Sequence, residues 1–287
     1  MSDANQPAPA PPRILIIAGS DSSGGAGIQA DIKTVTMLGG YAMTAITALT
    51  AQNTTGVAAV HFAPADFVAQ QIHACISDIG VDAVKIGMLG TPDIARAVTE
   101  ALQSIACPVV FDPVMVATSG GVLADARTIA LFADLMDEAD LVTPNLPELA
   151  ALTGMDVETE NGVLHAATEL TQRHGAHVLA KGGHATGERL TDLLVRPNGD
   201  ALAFEDARIE TLHTHGTGCT LASAIAALLG HGQSMEHSVR LARRFVRSAI
   251  ALAPGFGSGH GPLGQHAVRS LEQREGDAGT ERRGGES

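Results

Sequence analysis

The chain has 287 residues, 45% of them hydrophobic, enough to bury a large core in one α/β domain or in two smaller ones. Thirty-two glycines, no Trp and a single Tyr suit close packing of helices on a sheet better than an aromatic-rich sandwich. A net charge of -13 excludes sequence-independent nucleic-acid binding, which relies on Lys and Arg spread over a wide surface, so any phosphate ligand must be held locally.

Residues 1 to 12 are Pro, Ala and polar, with no basic stretch leading an apolar one, and they are expected to be disordered. No apolar run approaches the roughly 18 residues of a membrane span, so a soluble cytoplasmic protein is expected. Cys75, Cys107 and Cys219 are odd in number and contain no CxxC pair, which points away from a disulfide framework or a zinc knuckle.

Ile14 to Ile17 reads as a strand, Gly27 to Leu38 as a helix and Ala45 to Leu49 as the next strand. A helix from Asp66 carries Phe67, Val68, Ile72, Ile76 and Ile79 on roughly one face, and buried strands follow at Ala83 to Ile86 and Val109 to Phe111. Further strands are predicted at Leu141 to Thr143 and His177 to Ala180. Leu190 to Glu205 reads as an antiparallel hairpin turning at Pro197 to Asp200, the one departure from βα alternation. Helices follow from Gly218 to Leu229 and from Met235 to Leu252, and the charged, Gly-rich residues 266 to 287 are expected to form a disordered tail. The pattern predicts one doubly wound α/β domain over residues 13 to 265, a mostly parallel sheet with helices on both faces and a small β-hairpin.

In such a sheet, ligands gather beyond the carboxyl ends of the strands. After the first strand comes Gly19-Ser20-Asp21-Ser22-Ser23-Gly24-Gly25-Ala26-Gly27, an amide-rich loop that lacks the Gly-Lys-Ser/Thr ending of a P-loop and reads equally as a ligand contact or a tight turn. His215-Gly216-Thr217-Gly218-Cys219-Thr220 opens an apolar helix, whose free amides and positive dipole end can stabilise a transferring phosphoryl group. Cys219 in its first turn reads either as a thiol with a lowered pKa or as a buried packing residue. Asp112 and Glu148 follow strands and can hold a hydrated Mg²⁺, although Glu148 alone is more simply a solvated helix-start residue. Lys181 ends a strand, where it can meet a phosphate or simply lie exposed. His213 and His215 form an HxH pair, but a metal reading lacks a fourth ligand.

GSDSSGGAGIQADIKT (19 to 34), ALTAQNTTGV (48 to 57), VKIGML (84 to 89), DPVM (112 to 115), TPNLPE (143 to 148), KGGH (181 to 184) and HTHGTGCT (213 to 220), in that order, resemble the hydroxymethylpyrimidine/phosphomethylpyrimidine kinases. The resemblance implies a ribokinase-like α/β/α fold, ATP and Mg²⁺, and two successive phosphorylations of 4-amino-5-hydroxymethyl-2-methylpyrimidine in thiamine biosynthesis. It assigns Gln52, Gly19, Asp31, Met88 and Val114 to the pyrimidine, Lys181 and Asn145 to the nucleotide, and Asp112 and Glu148 to Mg²⁺ held through water. Gly216, Thr217 and Gly218 would hold the phosphoryl group, and Cys219 would receive or guide the hydroxyl proton. The segment from His184 to Arg189 would act as a flap, and superfamily analogy implies a homodimer. Two other readings compete: a pyridoxal kinase of the same branch, and a catalytically silent pyrimidine-binding regulator.

Overall fold

The computed structural model describes residues 10–116, 121, 123–184, 188–269 and 280–284. The chain runs β1 (Arg13–Asp21), α1 (Gly27–Met37), β2 (Tyr41–Asn53), β3 (Gly56–Phe62), α2 (Ala65–Asp78), β4 (Ala83–Ile86), α3 (Pro92–Leu102) and β5 (Val109–Phe111). Short helices α4 (Ala126–Ala130) and α5 (Phe132–Asp137) lead to β6 (Leu141–Val142), α6 (Leu146–Thr153), α7 (Glu160–His174) and β7 (His177–Ala180). The hairpin β8 (Arg189–Val195) and β9 (Ala201–Ala207) precedes α8 (Thr217–Gly230) and α9 (Met235–Ala251), and β10 (Thr280–Gly284) comes last.

These strands form one sheet in the order β10-β9-β8-β7-β6-β5-β4-β1-β2-β3. The six from β2 to β7 pair in parallel, and β3, β8, β9 and β10 add antiparallel. The α/β prediction holds, with one correction. The β8–β9 hairpin is not the sole break in alternation, because β2 folds back on β3 through Thr54 and Thr55. That second hairpin escapes the pattern because β3 buries none of its residues, so its sequence carries no core signal.

Alternation along β1 sends Ile14 and Ile16 to one face, against Val35 of α1, Ile225 of α8 and Phe245 of α9. Leu15 and Ile17 go to the other, against α2, α3 and α7. Helix α8 is buried continuously from Thr220 to Leu228. Its apolar run, Leu221 to Leu229, therefore has a helix or the sheet on every side, which fixes where its N-terminus points. Ile225 is wholly buried there, and truncation to Ala should cost about 2–5 kcal/mol.

Both expected boundaries shift. Residues 1–9 lie outside the described residues, but Pro12 is buried and its carbonyl accepts from the Tyr41 amide at 2.8 Å. At the other end, Val268 is buried in the α8/α9 layer and Thr280–Gly284 pairs with β9, so residues 266 to 287 are not a uniformly structureless tail. The chain reverses direction across the sheet between β1 and β4, and the crevice at the carboxyl ends of the strands opens there.

Candidate active site

The two glycine-rich segments lock together. A Cβ on Gly25 would lie 2.3 Å from Cδ2 of His215, and one on Gly216, whose φ is 85°, would lie 2.0 Å from the Gly25 carbonyl oxygen. Only bare backbone allows that approach. Asp21 organises the junction: its carboxylate accepts from the amides of Ser23 (2.8 Å), Gly25 (3.1 Å) and Ala26 (2.8 Å) and from Nε2 of His215 (2.9 Å). Burial works to raise the Asp21 pKa, yet the His215 ring and the loop donors prevail and hold it below the ordinary carboxylate value. The Gln52 amide lies 3.3 Å from the same ring nitrogen of His215. His215 is therefore tied to Asp21, and the described residues contain no cluster of three or more metal-ligating side chains around the HxH pair.

A single cavity of about 920 Å³ opens beyond these loops. Gly19, Gln52, Met88 and Val114 line it, and a Cβ on Gly19 would touch the Met88 sulfur at 3.0 Å. Asp31 does not join them. It is wholly buried beneath the wall, where it pairs with Lys85 at 2.9 Å and accepts from Ser223 Oγ at 2.6 Å. The expected polar contact to substrate is thus corrected: Asp31 is the counter-charge of a lysine that lines the cavity and that sequence reasoning passed over. Burial opposes the Lys85 charge, but Asp31, Cys219 and Asp112 together raise its pKa above the ordinary lysine value. A lysine inside the buried run Ala83-Val84-Lys85-Ile86 was the available signal, because such a charge needs a partner.

The cavity is also lined by the start of α8 and the ends of β5, β6 and β7. Gly216, Thr217, Gly218 and Cys219 all line the cavity. The Thr217 amide is already committed to the Thr214 carbonyl (3.2 Å), as is its hydroxyl (2.7 Å), so Thr217 does not offer the amide expected of it. The next two amides, of Gly218 and Cys219, precede the first helical donor, the Thr220 amide that bonds the Gly216 carbonyl at 2.9 Å, and they lie at the positive end of the dipole. Burial pushes the Cys219 thiol up to about 11, outweighing the nearby Lys85 ammonium and the Gly27 amide, which donates to it. The expectation of a lowered thiol pKa is therefore reversed: desolvation exceeds the effect of the helix terminus.

Lys181 Nζ donates to Asp112 Oδ1 at 2.7 Å and lies 3.9 Å from Glu148, while Thr143 Oγ1 donates to the same Asp112 oxygen at 2.9 Å. Glu148 is not a solvated residue. It is 6% exposed and closes a capping box with Asn145, each side chain accepting from the other's amide. Asn145 thus lines the cavity while capping α6. Burial and the neighbouring Asp112 raise the Glu148 carboxyl to about 7, with Lys181 opposing them. Two buried carboxylates around one ammonium leave negative charge in excess, and this fits a hard divalent cation that keeps most of its ligands as water and phosphate oxygens.

Beyond Lys181 the backbone is pinned. Asp192 accepts from the Gly182 amide at 2.8 Å and from Arg243 Nε at 2.8 Å, and Arg243 also pairs with Asp206 at 2.8 Å over the Phe204 ring. A Cβ on Gly182 would lie 1.9 Å from the Thr191 carbonyl oxygen, so this turn accepts only glycine. Residues 185–187 of the expected flap lie outside the described residues.

The sequence profile described as phosphomethylpyrimidine kinase matches residues 21–264, a span that contains the cavity-lining residues from Asp21 to Ile250 and leaves out Ala18, Gly19 and Ser20 of β1. The chain belongs to that family. Among relatives of the phosphomethylpyrimidine kinase family, the hydroxymethylpyrimidine/phosphomethylpyrimidine kinase of Rhizobium meliloti is 46% identical over 254 residues, covering 87% of this chain and 95% of the relative. The thiamine biosynthesis multifunctional protein ThiED of Corynebacterium efficiens is 42% identical over 94% of this chain, but the chain spans only 37% of that longer protein. The pyridoxal kinase of Staphylococcus aureus, solved with AMP-PCP and pyridoxal, superposes with a TM-score of 0.86 at 31% identity, covering 96% of this chain and 99% of that one. The ribokinase-like fold expected from the sequence is thereby borne out. Among the described residues no helix is long and apolar enough to cross a membrane.

Proposed function

We propose that this protein phosphorylates 4-amino-5-hydroxymethyl-2-methylpyrimidine from ATP and then phosphorylates the monophosphate again, as a step of thiamine biosynthesis. One observation carries the reading: Gln52, Met88 and Val114 share a single cavity with the start of α8, Lys181, Asp112 and Glu148. An apolar slot with one amide suits an aminopyrimidine edge, since the amide offers a donor and an acceptor together. ATP would lie with its terminal phosphate at the Gly218 and Cys219 amides, and with Lys181 and Asn145 on the nucleotide side. Asp112 and Glu148 would hold Mg²⁺ largely through water, and the metal would neutralise charge developing on the phosphates.

Cys219 would lie beside the acceptor hydroxyl, guiding its proton and taking it as the new bond forms. Burial pushes this thiol up to about 11, so its loss of a proton depends on the groups that oppose burial, the Lys85 ammonium and the Gly27 amide. Asp31 acts at one remove, through Lys85. Family resemblance alone extends the proposal to a single kinase domain, a homodimer and a cytoplasmic location.

A second reading, pyridoxal phosphorylation, is favoured by the likeness to the Staphylococcus aureus kinase. The 46% identity to a pyrimidine kinase over nearly its full length, together with Gln52, favours the pyrimidine. The test is incubation with ATP, Mg²⁺ and the hydroxymethylpyrimidine, followed by mass detection. Sequential mono- and diphosphate products are expected, and recovery of unmodified pyrimidine with intact ATP would refute the proposal.

A further inference from the structure

The buried pair Lys85–Asp31 takes no direct part in the scheme above, although ionised groups with no exposure are costly to keep inside a protein. The pair is oriented. Asp31 Oδ2 accepts from Lys85 at 2.9 Å, and its Oδ1 accepts from Ser223 at 2.6 Å, one helical turn beyond Cys219 on α8. Lys85 lines the cavity together with Cys219, whereas Asp31 is enclosed behind it. Both members are wholly buried, with the lysine on the side of the cavity that Cys219 also lines and the carboxylate bonded to Ser223 of α8. Gly87 helps to hold this orientation, because a Cβ there would lie 2.8 Å from Lys85 Nζ.

We propose that Lys85 is a positioning residue whose ammonium, held by Asp31 and Ser223, stabilises the thiolate of Cys219, the form able to accept the proton of the acceptor hydroxyl. The proposal rests on the kinase reading above. In the step, the acceptor O–H bond breaks as an S–H bond forms, and the freed oxygen pair forms the new O–P bond. The P–O bond to the nucleotide breaks with its electron pair leaving on ADP, and the thiol later returns its proton to water. Lys85 opposes the upward push of burial on this thiol more strongly than Asp31 adds to it, in agreement with the geometry. In the low-dielectric wall of the cavity, a charge so placed acts with little screening.

The test uses the double variant Lys85→Met/Asp31→Asn, which removes both charges and so leaves neither ion buried alone. Alkylation of Cys219 by iodoacetamide is followed by peptide mass mapping, which separates it from Cys75 and Cys107, with circular dichroism to confirm folding. At about pH 8.5, alkylation should slow by about threefold or more, because lost thiolate outweighs the gain in its nucleophilicity. Asp31→Asn alone keeps the ammonium and should speed alkylation, a change of opposite sign that loosened packing would not give. The double variant should also lower kcat while leaving the KM for the pyrimidine unchanged. Alkylation of the folded double variant at the wild-type rate or faster would overturn the proposal. Because alkylation needs no turnover, it decides the matter even if the protein phosphorylated neither ring.

Discussion

Gly218 on α8 and Lys181 at the end of β7 approach so closely that a Cβ at 218 would lie 3.4 Å from Lys181 Nζ and 3.5 Å from Asp112 Oδ2. These are ordinary contacts in a helix with no left-handed residue at 218, so Gly218→Ala should fold, with stability unchanged or raised by up to about 1 kcal/mol. The added methyl would occupy space needed by the terminal phosphate. We expect kcat to fall about 100-fold or more with Tm preserved, measured by steady-state kinetics beside thermal melts.

Gly216→Ala should behave differently. Its φ of 85° and the 2.0 Å approach to the Gly25 carbonyl require both backbone strain and separation of the two loops. A loss of about 1–3 kcal/mol in stability is expected from the backbone conformation alone, seen as a lower urea midpoint, with activity falling as the Asp21–His215 junction opens.

Cys219→Ala removes the thiol but not the amides that precede the helix. We expect kcat to drop about 100-fold to 10,000-fold with little change in ATP binding. Wild-type turnover at saturating substrates, in a folded variant, would remove Cys219 from the chemistry.

The raised Glu148 carboxyl gives the stability of the ligand-free protein a direction in pH. In the folded state it holds its proton up to about 7, against an ordinary value of 4.5, so the native state binds more protons than the unfolded one between those limits. Its contribution therefore weakens as pH rises from about 4.5 to 7. Glu148→Gln should flatten the decline in Tm over that window, read from melts at a series of pH values. Mg²⁺ with nucleotide should tighten across the same range in the wild type, because the bound cation favours the ionised carboxylate.

Much of this arrangement is legible before folding. The runs at Ile14 to Ile17, Ala83 to Ile86 and His177 to Ala180 announce the parallel strands, because strands covered on both faces are nearly continuous apolar runs, broken here only by Lys85 and by the partly buried His177. The glycines ahead of Cys219 announce a helix start open to ligand. What escaped depends on contacts between residues far apart in the chain. Asp31 and Lys85 are 54 residues apart and meet only when β4 packs beside β1. The upward shift of the Cys219 thiol follows from burial, which its helix-start position does not disclose. Strand β3 is mostly exposed and turns through Thr54 and Thr55 without an Asn-Gly or Asp-Gly signature, so neither its core pattern nor its turn identifies it.

The central claim is that one cavity presents a pyrimidine hydroxyl, and later its phosphate, to the same α8 terminus. The most direct measurement is kcat/KM for the hydroxymethylpyrimidine, its monophosphate and pyridoxal, determined side by side with ATP and Mg²⁺ by following ADP release. Both pyrimidines should be turned over, each with a higher kcat/KM than pyridoxal. A higher value for pyridoxal, or no turnover of the monophosphate, would contradict the account.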